Sequence, residues 1–319
     1  VPAGQGRGLP PVGAVLLMVL GVLACRFAPA LAGDVEPLPV QEVAPGIYVH
    51  QGEHAEATPQ NEGGIANIGF IVGQEAVAVI DTGGSAAEGR RLRAAIRAVT
   101  ALPIRYVINT HMHPDHVLGN AAFVEDAPAF VGHAKLPAAL TARGMLYLQN
   151  QARELGAVAV GTRAILPTLT VDSRMEIDLG GRVLRLVAHR TAHTDNDLSV
   201  YDVQTSTLWL ADLLFIDRIP AIDGSLNGWL EVIAELRRMP AARVIPGHGP
   251  VVADWPAALD GEERYLRTLR DEIRTLQRRG GTMEEAVATV GRSERGKWLL
   301  FDEYNPRNVV TAFAELEWE

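Results

Sequence analysis

Four side chains able to hold a metal ion fall within six residues in His111-Met112-His113-Pro114-Asp115-His116. The chain has nine histidines, and three of them sit in this run, so a merely solvated turn is a poor explanation. Residues Arg105 to Asn109 read as a buried strand that delivers the chain straight into the cluster. A strand end is a fixed platform, and the loop leaving it can fold its side chains toward one point. His111 and His113 can bind one ion through imidazole nitrogens, while Asp115 and His116 can turn to a second. Imidazole and carboxylate donors without thiolate suit Zn2+, and also Fe or Mn. Three more candidates lie downstream. His193 just precedes the strand-like Leu198 to Tyr201. Asp212 sits among apolar residues in Leu210-Ala211-Asp212-Leu213, where a carboxylate is costly unless a cation or donors compensate. His248 occupies the turn Pro246-Gly247-His248-Gly249, where the backbone can bring an imidazole inward.

The elements that must position these side chains follow from periodicity and turn signals. Ile47-Tyr48-Val49, Ile68 to Val72 and Ala76 to Ile80 read as strands, with a polar, Gly-rich loop from Gln51 to Ala66. Ser85 to Val99 reads as a helix with Ser85 as its cap. Val117 to Phe123 and Ala134 to Gly156 read as helices. Leu169 to Asp178, Arg182 to Val187, Leu198 to Asp202 and Thr207 to Leu210 form a second set of strands. The helix Trp229 to Arg238 and the short strand Arg243 to Ile245 follow. Strands and then a helix, twice over, predict two αβ halves packed sheet to sheet with helices outside. After Pro256 the pattern is helical: Ala257 to Arg279, a helix opened by the capping pair Thr282 and Glu285, and a third opened by Asn305 as cap and Pro306 at the first position. Residues 33–255 are expected to form the main domain and 256–319 a helical extension of it.

The ordered series Asp81-Thr82-Gly83, His111 to His116, His193, Asp212 and His248 resembles the metallo-β-lactamase superfamily across most of the chain. The resemblance implies a metallo-β-lactamase-like α/β fold, an αββα sandwich with metals at the inter-sheet edge and a C-terminal helical extension. By position it implies that His111, His113 and His193 hold the first metal, Asp115, His116 and His248 the second, and that Asp212 bridges them. Asp81 would orient the ligand loop through hydrogen bonds, and Asp81 and Asp115 are the candidate catalytic carboxylates. Aspartate at 212 is similar to the glyoxalase II-like branch and unlike lactamases with cysteine there. The stretch His54 to Gly64, Asn67-Ile68-Gly69-Phe70, Asp223-Gly224-Ser225-Leu226, Gly228-Trp229-Leu230 and Asn305-Pro306-Arg307-Asn308-Val309 resemble the quinoprotein-associated zinc metallohydrolases, a SoxH-related subgroup. That resemblance implies a periplasmic setting and a functional link to quinoprotein dehydrogenases. His54 lies in the loop that in this superfamily often overhangs the metals, so it is a candidate substrate contact, against a solvated loop residue. Arg218 is a candidate for binding a substrate carboxylate, against a surface ion pair. His50, His133 and His189 read as structural, and Trp229 as a core anchor.

Charge and termini narrow the function further. The chain has 29 basic and 38 acidic residues, a net −9 with neutral histidine. An acidic surface with no Lys/Arg-rich run repels phosphate backbones, so nucleic acid is not an expected partner. Arg7, the apolar run Val12 to Ala24 and Ala30-Leu31-Ala32 read as a signal peptide over residues 1–32, cleaved after Ala32. The run is shorter than the roughly 20 residues of a comfortable membrane span. An uncleaved anchor and lipid attachment at Cys25 are the alternatives. Cleavage would remove Cys25, the only cysteine, and leave neither disulfide nor thiolate ligand.

These readings predict an exported hydrolase, periplasmic or secreted, with two Zn2+ per chain, iron being the alternative metal, and no stable membrane insertion. Two metals about 3.5–4 Å apart would share a water, lower its pKa and present a bridging hydroxide to a carbonyl. The expected small-molecule substrate is a thioester, lactone or similar activated carbonyl. The competing readings are a mononuclear iron persulfide oxygenase, a β-lactamase, and a metal-free binding or maturation protein. Seven intact ligand positions argue against the last.

Overall fold

Two-residue alternation along the strands decides which faces meet. In the computed structural model, which describes residues 35–318 and, ahead of them, residues 1, 4, 6 and 8, seven strands lie side by side in chain order. They are β1 (Gln41–Ala44), β2 (Ile47–His50), β3 (Ile68–Val72), β4 (Val77–Ile80), β5 (Ile104–Ile108), β6 (Ala129–His133) and β7 (Leu169–Val171). The first four are antiparallel neighbours and the last four parallel. Parallel neighbours need crossovers, supplied by α1 (Ala86–Val99), the single turn α2 (Pro114–Val117) and α3 (Leu136–Leu155). The second sheet holds β8 (Arg174–Asp178), β9 (Val183–Ala188), β10 (Leu198–Asp202), β11 (Thr207–Phe215) and β12 (Arg243–His248), in spatial order β12-β11-β10-β9-β8. Only β11 and β12 are parallel there, with α4 (Leu226–Leu236) as the crossover.

The alternation sorts the apolar side chains into layers. Ala78, Ile80, Ile108 and Val131 face Leu186, Val200 and Trp209 between the sheets. Val77 and Val79 turn the other way, onto Leu92 and Ile96 of α1. Leu208 and Leu210 face α4 and the C-terminal helices α5 (Asp260–Arg278), α6 (Met283–Thr289) and α7 (Phe301–Leu316). Each fully buried Leu or Ile stabilises this arrangement by about 1.5–3 kcal/mol. The result is the expected αββα sandwich with C-terminal helices on its second sheet. Ser85 caps α1 by accepting from the Glu88 N–H, and Thr282 caps α6 by accepting from the Glu285 N–H. No helix among the described residues is long and apolar enough to cross a membrane. The apolar run, its expected cleavage point after Ala32 and Cys25 lie outside the described residues.

Several elements depart from the sequence reading, each for a local reason. The helix expected over Val117 to Phe123 is not α beyond its first residue: α2 ends at Val117 and the chain tightens into a 3-10 helix, Leu118–Asp126. Gly119 there passes so close to Thr82 that a Cβ would lie 1.9 Å from the Thr82 carbonyl oxygen. Strand β6 was not anticipated. The stretch Leu169 to Asp178 breaks into β7 and β8, which belong to different sheets. A turn at Asp172-Ser173 carries the chain between sheets inside one run of strand-forming residues. Strand β11 continues past Leu210 to Phe215, buried throughout, so Asp212 lies within it. Helix α5 begins at Asp260, after a 3-10 turn at Ala257–Leu259. Finally, α7 begins at Phe301 and contains Pro306. Asn305 does not cap it. Its side chain accepts from Tyr265 Oη and donates to the Val290 carbonyl. Such buried contacts hold a helix turn that an interior proline disfavours by about 3 kcal/mol.

Candidate metal centre

The ligands sit where strands end along one edge of the sandwich. β4 runs into Asp81, whose backbone is left-handed with φ 54°, a conformation aspartate tolerates better than most residues. The buried Asp81 carboxylate accepts from Thr110 N at 2.8 Å, Thr110 Oγ1 at 2.7 Å and His116 Nδ1 at 2.8 Å. It thereby fastens the end of β5, where the His111–His116 loop starts. In β11 the pairing register shifts around Ala211, which also takes a left-handed φ of 47°. The kink turns Asp212 toward the histidines. Gly247 makes room for it, since a Cβ there would lie 1.8 Å from Asp212 Oδ1. Asn67 completes the edge: its Nδ2 donates to the carbonyls of Pro246 and Gly249, and its Oδ1 accepts from Gly52 N.

Hydrogen bonding on the outside of the cluster fixes what points inward. His116 Nδ1 donates to Asp81, His193 Nδ1 to the Ala221 carbonyl at 2.6 Å, and His248 Nδ1 to the Ile65 carbonyl at 2.7 Å. His113 Nε2 donates to Asp223 Oδ2 at 3.0 Å. The Thr110 hydroxyl already donates to Asp81, so the 3.1 Å contact from His111 Nδ1 makes that nitrogen the donor. Each of the five imidazoles therefore turns its other ring nitrogen inward, as a lone pair whenever that ring is neutral. His113 Nδ1 lies 3.1 Å from His111 Nε2 and 2.9 Å from His193 Nε2, and lone pairs cannot satisfy one another. Asp212 Oδ2 lies 3.3 Å from His193 Nε2 and 3.7 Å from His111 Nε2.

The second group adjoins the first. His116 Nε2 is 3.1 Å from Asp212 Oδ1 and 3.7 Å from Asp115 Oδ2. His248 Nε2 is 3.5 Å from both Asp115 Oδ2 and Asp212 Oδ2. His111, His113, His193 and Asp212 thus form one set with donor atoms within 4.8 Å of one another, and Asp115, His116 and His248 form another. His116 Nε2 and Asp212 Oδ1 are buried and have only each other within reach, 3.1 Å apart and without good hydrogen-bond alignment, so a shared cation would satisfy both. The donor set fits divalent cations.

The electrostatics point the same way. Burial holds His111 far below the usual imidazole value and His193 down to about 3, so both stay in the neutral, metal-binding form. Burial pushes Asp212 up, but His116, His248 and His111 outweigh it and keep the carboxyl well below its usual range. His116 runs the other way: burial opposes its charge, yet Asp212, Asp115 and Asp81 hold a proton on it well above the usual value. Three carboxylates around one imidazole attract any cation, and a divalent ion competes with that proton.

A cavity of about 420 Å³ opens onto these ligands. A larger groove of about 1000 Å³, beside β8, β9 and the end of α4, contains no such cluster among the described residues. His54 is half-buried, feels the charges of His248 and Arg218, and is not among the residues lining the cavity. Arg218 makes no surface ion pair: it is 3 % exposed. Its guanidinium donates to the Ala55 carbonyl at 3.1 Å and to Tyr304 Oη at 2.9 Å while lining the cavity. His50, His133 and His189 bond to Pro39 O, Lys135 N and Ser199 Oγ respectively. Trp229 is fully buried and meets the His193 ring edge-on at 5.3 Å. Sequence reasoning gave no role to Asp223, whose carboxyl His113 and Arg143 draw down to about 2 against the effect of burial. Its partner His113 lies 110 residues earlier, and no local pattern links the two. The wall residues Tyr147, Tyr304 and Arg307 were missed as well.

Residues 61–248 match the family model described as the metallo-beta-lactamase superfamily. A linear primary-alkylsulfatase of Pseudomonas sp. (strain ATCC 19151) is 24% identical over 241 residues, 64% of this chain and 44% of that protein. A beta-lactamase-like protein 2 homolog of Caenorhabditis elegans is 23% identical over 183 residues, 57% of this chain and 55% of that one. The chain thus spans about half the length of these curated relatives. Among solved structures, a metallo-beta-lactamase from Pontibacter korlensis superposes with a TM-score of 0.59 at 20% identity, covering 72% of this chain and 99% of that one. The stereoselective inverting sec-alkylsulfatase Pisa1 from Pseudomonas sp. gives a TM-score of 0.62 at 19% identity, covering 79% and 45%. At such identities the overlays establish a shared fold.

Proposed function

The chain belongs to the metallo-β-lactamase superfamily, and from that premise we propose a hydrolase with two divalent cations, zinc foremost, that cleaves a thioester, lactone or similar activated carbonyl. One observation carries the reading: five imidazoles with satisfied outward N–H groups converge their inward nitrogens, and four of them approach within 3.7 Å of the Asp212 carboxylate, which lies between two donor sets. Bound cations supply Lewis acidity and a water-derived nucleophile near neutral pH. His111, His113 and His193 would hold the first and Asp115, His116 and His248 the second, with Asp212 between them. Asp81 and Asp223 fix the tautomers and ring directions of His116 and His113. Of the two carboxylates in the donor sets, Asp115 is the more open, its side chain 17% exposed against 4% for Asp212. It is the group placed to take a proton from the attacking water and return it to the leaving group. The completeness of the second set favours two cations over a single iron, and hence hydrolysis over persulfide oxygenation.

A second reading is cleavage of a sulfate ester. It is supported by the alkylsulfatase relatives and by the arginines in the cavity wall, which suit an anionic substrate. The β-lactamase reading rests on a shared fold alone. The aspartate at 212 favours the glyoxalase II-like branch, and the blocks around Asp223 and Arg307 favour the quinoprotein-associated subgroup. On the apolar run and Ala30-Leu31-Ala32 we also propose a periplasmic or secreted enzyme beside quinoprotein dehydrogenases. The test is metal analysis of protein made without a metal-binding tag, followed by assays on a thioester, a lactone, an alkyl sulfate and a cephalosporin. Two zinc ions and carbonyl turnover are expected. Turnover of the alkyl sulfate alone selects the second reading. One iron per chain, or no turnover of any substrate by zinc-loaded protein, overturns the hydrolase.

A further inference from the structure

The family match ends at His248, yet one wall of the cavity comes from beyond it: α7 contributes Tyr304, Arg307 and Asn308. Arg218 Cζ and Arg307 Cζ each lie 5.2 Å from the centroid of the Tyr304 ring. One aromatic plate therefore carries two guanidiniums, and their situations differ. Arg218 is buried, with donors engaged by the Ala55 carbonyl and Tyr304 Oη. Glu56, also in the cavity wall, acts on the Tyr304 hydroxyl as well, opposing the influence of Arg218 there. Arg307 is exposed, and its guanidinium rests on the Tyr304 ring without a hydrogen bond or ion pair of its own among the described residues.

We propose that Arg307 receives an anionic group carried by the substrate away from the bond that is cleaved, with Tyr304 as its platform and Arg218 as a positioning residue. A guanidinium held against an aromatic ring keeps its planar fork of N–H groups free for a carboxylate, sulfonate or phosphate. The contact also orders the side chain before the ligand arrives, which lowers the entropic cost of binding. Asn305 and Asn308 pin α7 to Tyr265 and to the Pro220-Ile222 segment, so the platform is fixed relative to the metal ligands.

The inference rests on the two-cation reading, which supplies the site for the reacting end, and adds a charge preference to it. The test uses the zinc-loaded full chain and calorimetric titration with succinate, adipate and suberate, each beside its monoamide. Every pair keeps one carboxylate for the metals and differs only in the charge of the far end. Arg307→Gln should weaken at least one dicarboxylate by about tenfold or more, with its monoamide and the metal content unchanged. Arg307→Lys should recover part of the loss, since an ammonium lacks the planar fork. The inference is overturned if the wild type prefers no dicarboxylate over its monoamide, or if Arg307→Gln affects both members of every pair alike. Arg307-dependent selection in a protein that hydrolyses nothing would sink the hydrolase reading and leave this one intact. Hydrolysis indifferent to Arg307 would do the reverse.

Discussion

The floor of the cavity and its α7 wall are built by opposite means. The floor residues stand on the β11 kink, at the end of β12, or in the loop and short helix that directly follow β5 and the loop between β9 and β10, so two sheets frame their positions. The wall is attached through side chains from distant segments: Arg218 to Ala55 and Tyr304, and Asn308 to Pro220 and Tyr265. The difference separates two jobs. On the proposed reading, chemistry rests on the part of the fold framed by the sheets, and selection on an attachment that can change alone.

The largest effect should come from crowding the floor. Gly247→Ala would put a methyl carbon 1.8 Å from Asp212 Oδ1 and 2.7 Å from the Ala211 carbonyl carbon. Overpacking of this kind costs about 1–3 kcal/mol or more, and here it displaces the shared carboxylate. Equilibrium dialysis should find metal binding lost. A variant that keeps its metal would show a floor that yields, and the contrast with the wall would collapse.

Glu88 offers a test of the floor by pH. It lies buried behind the Asp81–Gly84 turn, with Oε2 accepting from Gly84 N at 2.7 Å and Oε1 unpartnered. Burial raises its pKa from 4.5 to about 8. Between those values the folded protein holds a proton that the unfolded chain has released. This contribution to stability is therefore complete below about pH 4.5 and shrinks as pH rises toward 8, by up to a few kcal/mol. Urea denaturation at pH 5 and pH 8 should show that decline in the wild type and a flatter profile in Glu88→Gln. Equal slopes would mean that the carboxyl is ionised in the fold.

Loosening the wall should do least. Asn308→Ala removes bonds from Ile222 N at 2.9 Å, to the Pro220 carbonyl at 2.6 Å and to Tyr265 Oη at 3.0 Å, at a cost of about 1–3 kcal/mol. Thermal unfolding should report that loss while metal content stays at the wild-type value. If metal content falls too, the wall is part of the floor, because the Pro220-Ile222 segment also carries the carbonyl that orients His193.

This contrast also governs what could be read in advance. Histidine is scarce and clusters where a strand stops, so the positions of the seven donors were legible, as were the αββα layers behind them. Strand β6 escaped because Ala129–His133 is short and its apolar residues show no clean alternation. The β7–β8 corner escaped because both strands share one compositional run. Pro306 misled for a different reason: local rules place proline at a helix start, while Asn305 and Asn308 answer to Tyr265 and Pro220, dozens of residues away. Arg218 reads from its nearness to Asp212 in the chain as a candidate for binding a substrate carboxylate, and it does line the cavity. Whether an arginine is engaged or free depends on partners such as Ala55 and Tyr304, 163 and 86 residues off, which spacing does not reveal.

The clasp made by Asn67 also has a bearing on how the molecule comes into being. It joins carbonyls 179 and 182 positions further along the chain, and one of them flanks the last donor, His248. During synthesis, then, six of the seven donors leave the ribosome before the edge that aligns them can be sealed. Contacts of such long sequence separation form slowly. On the two-cation reading, the stabilisation that a metal lends to a folded site becomes available only once His248 has emerged, so until then the growing chain would persist without it.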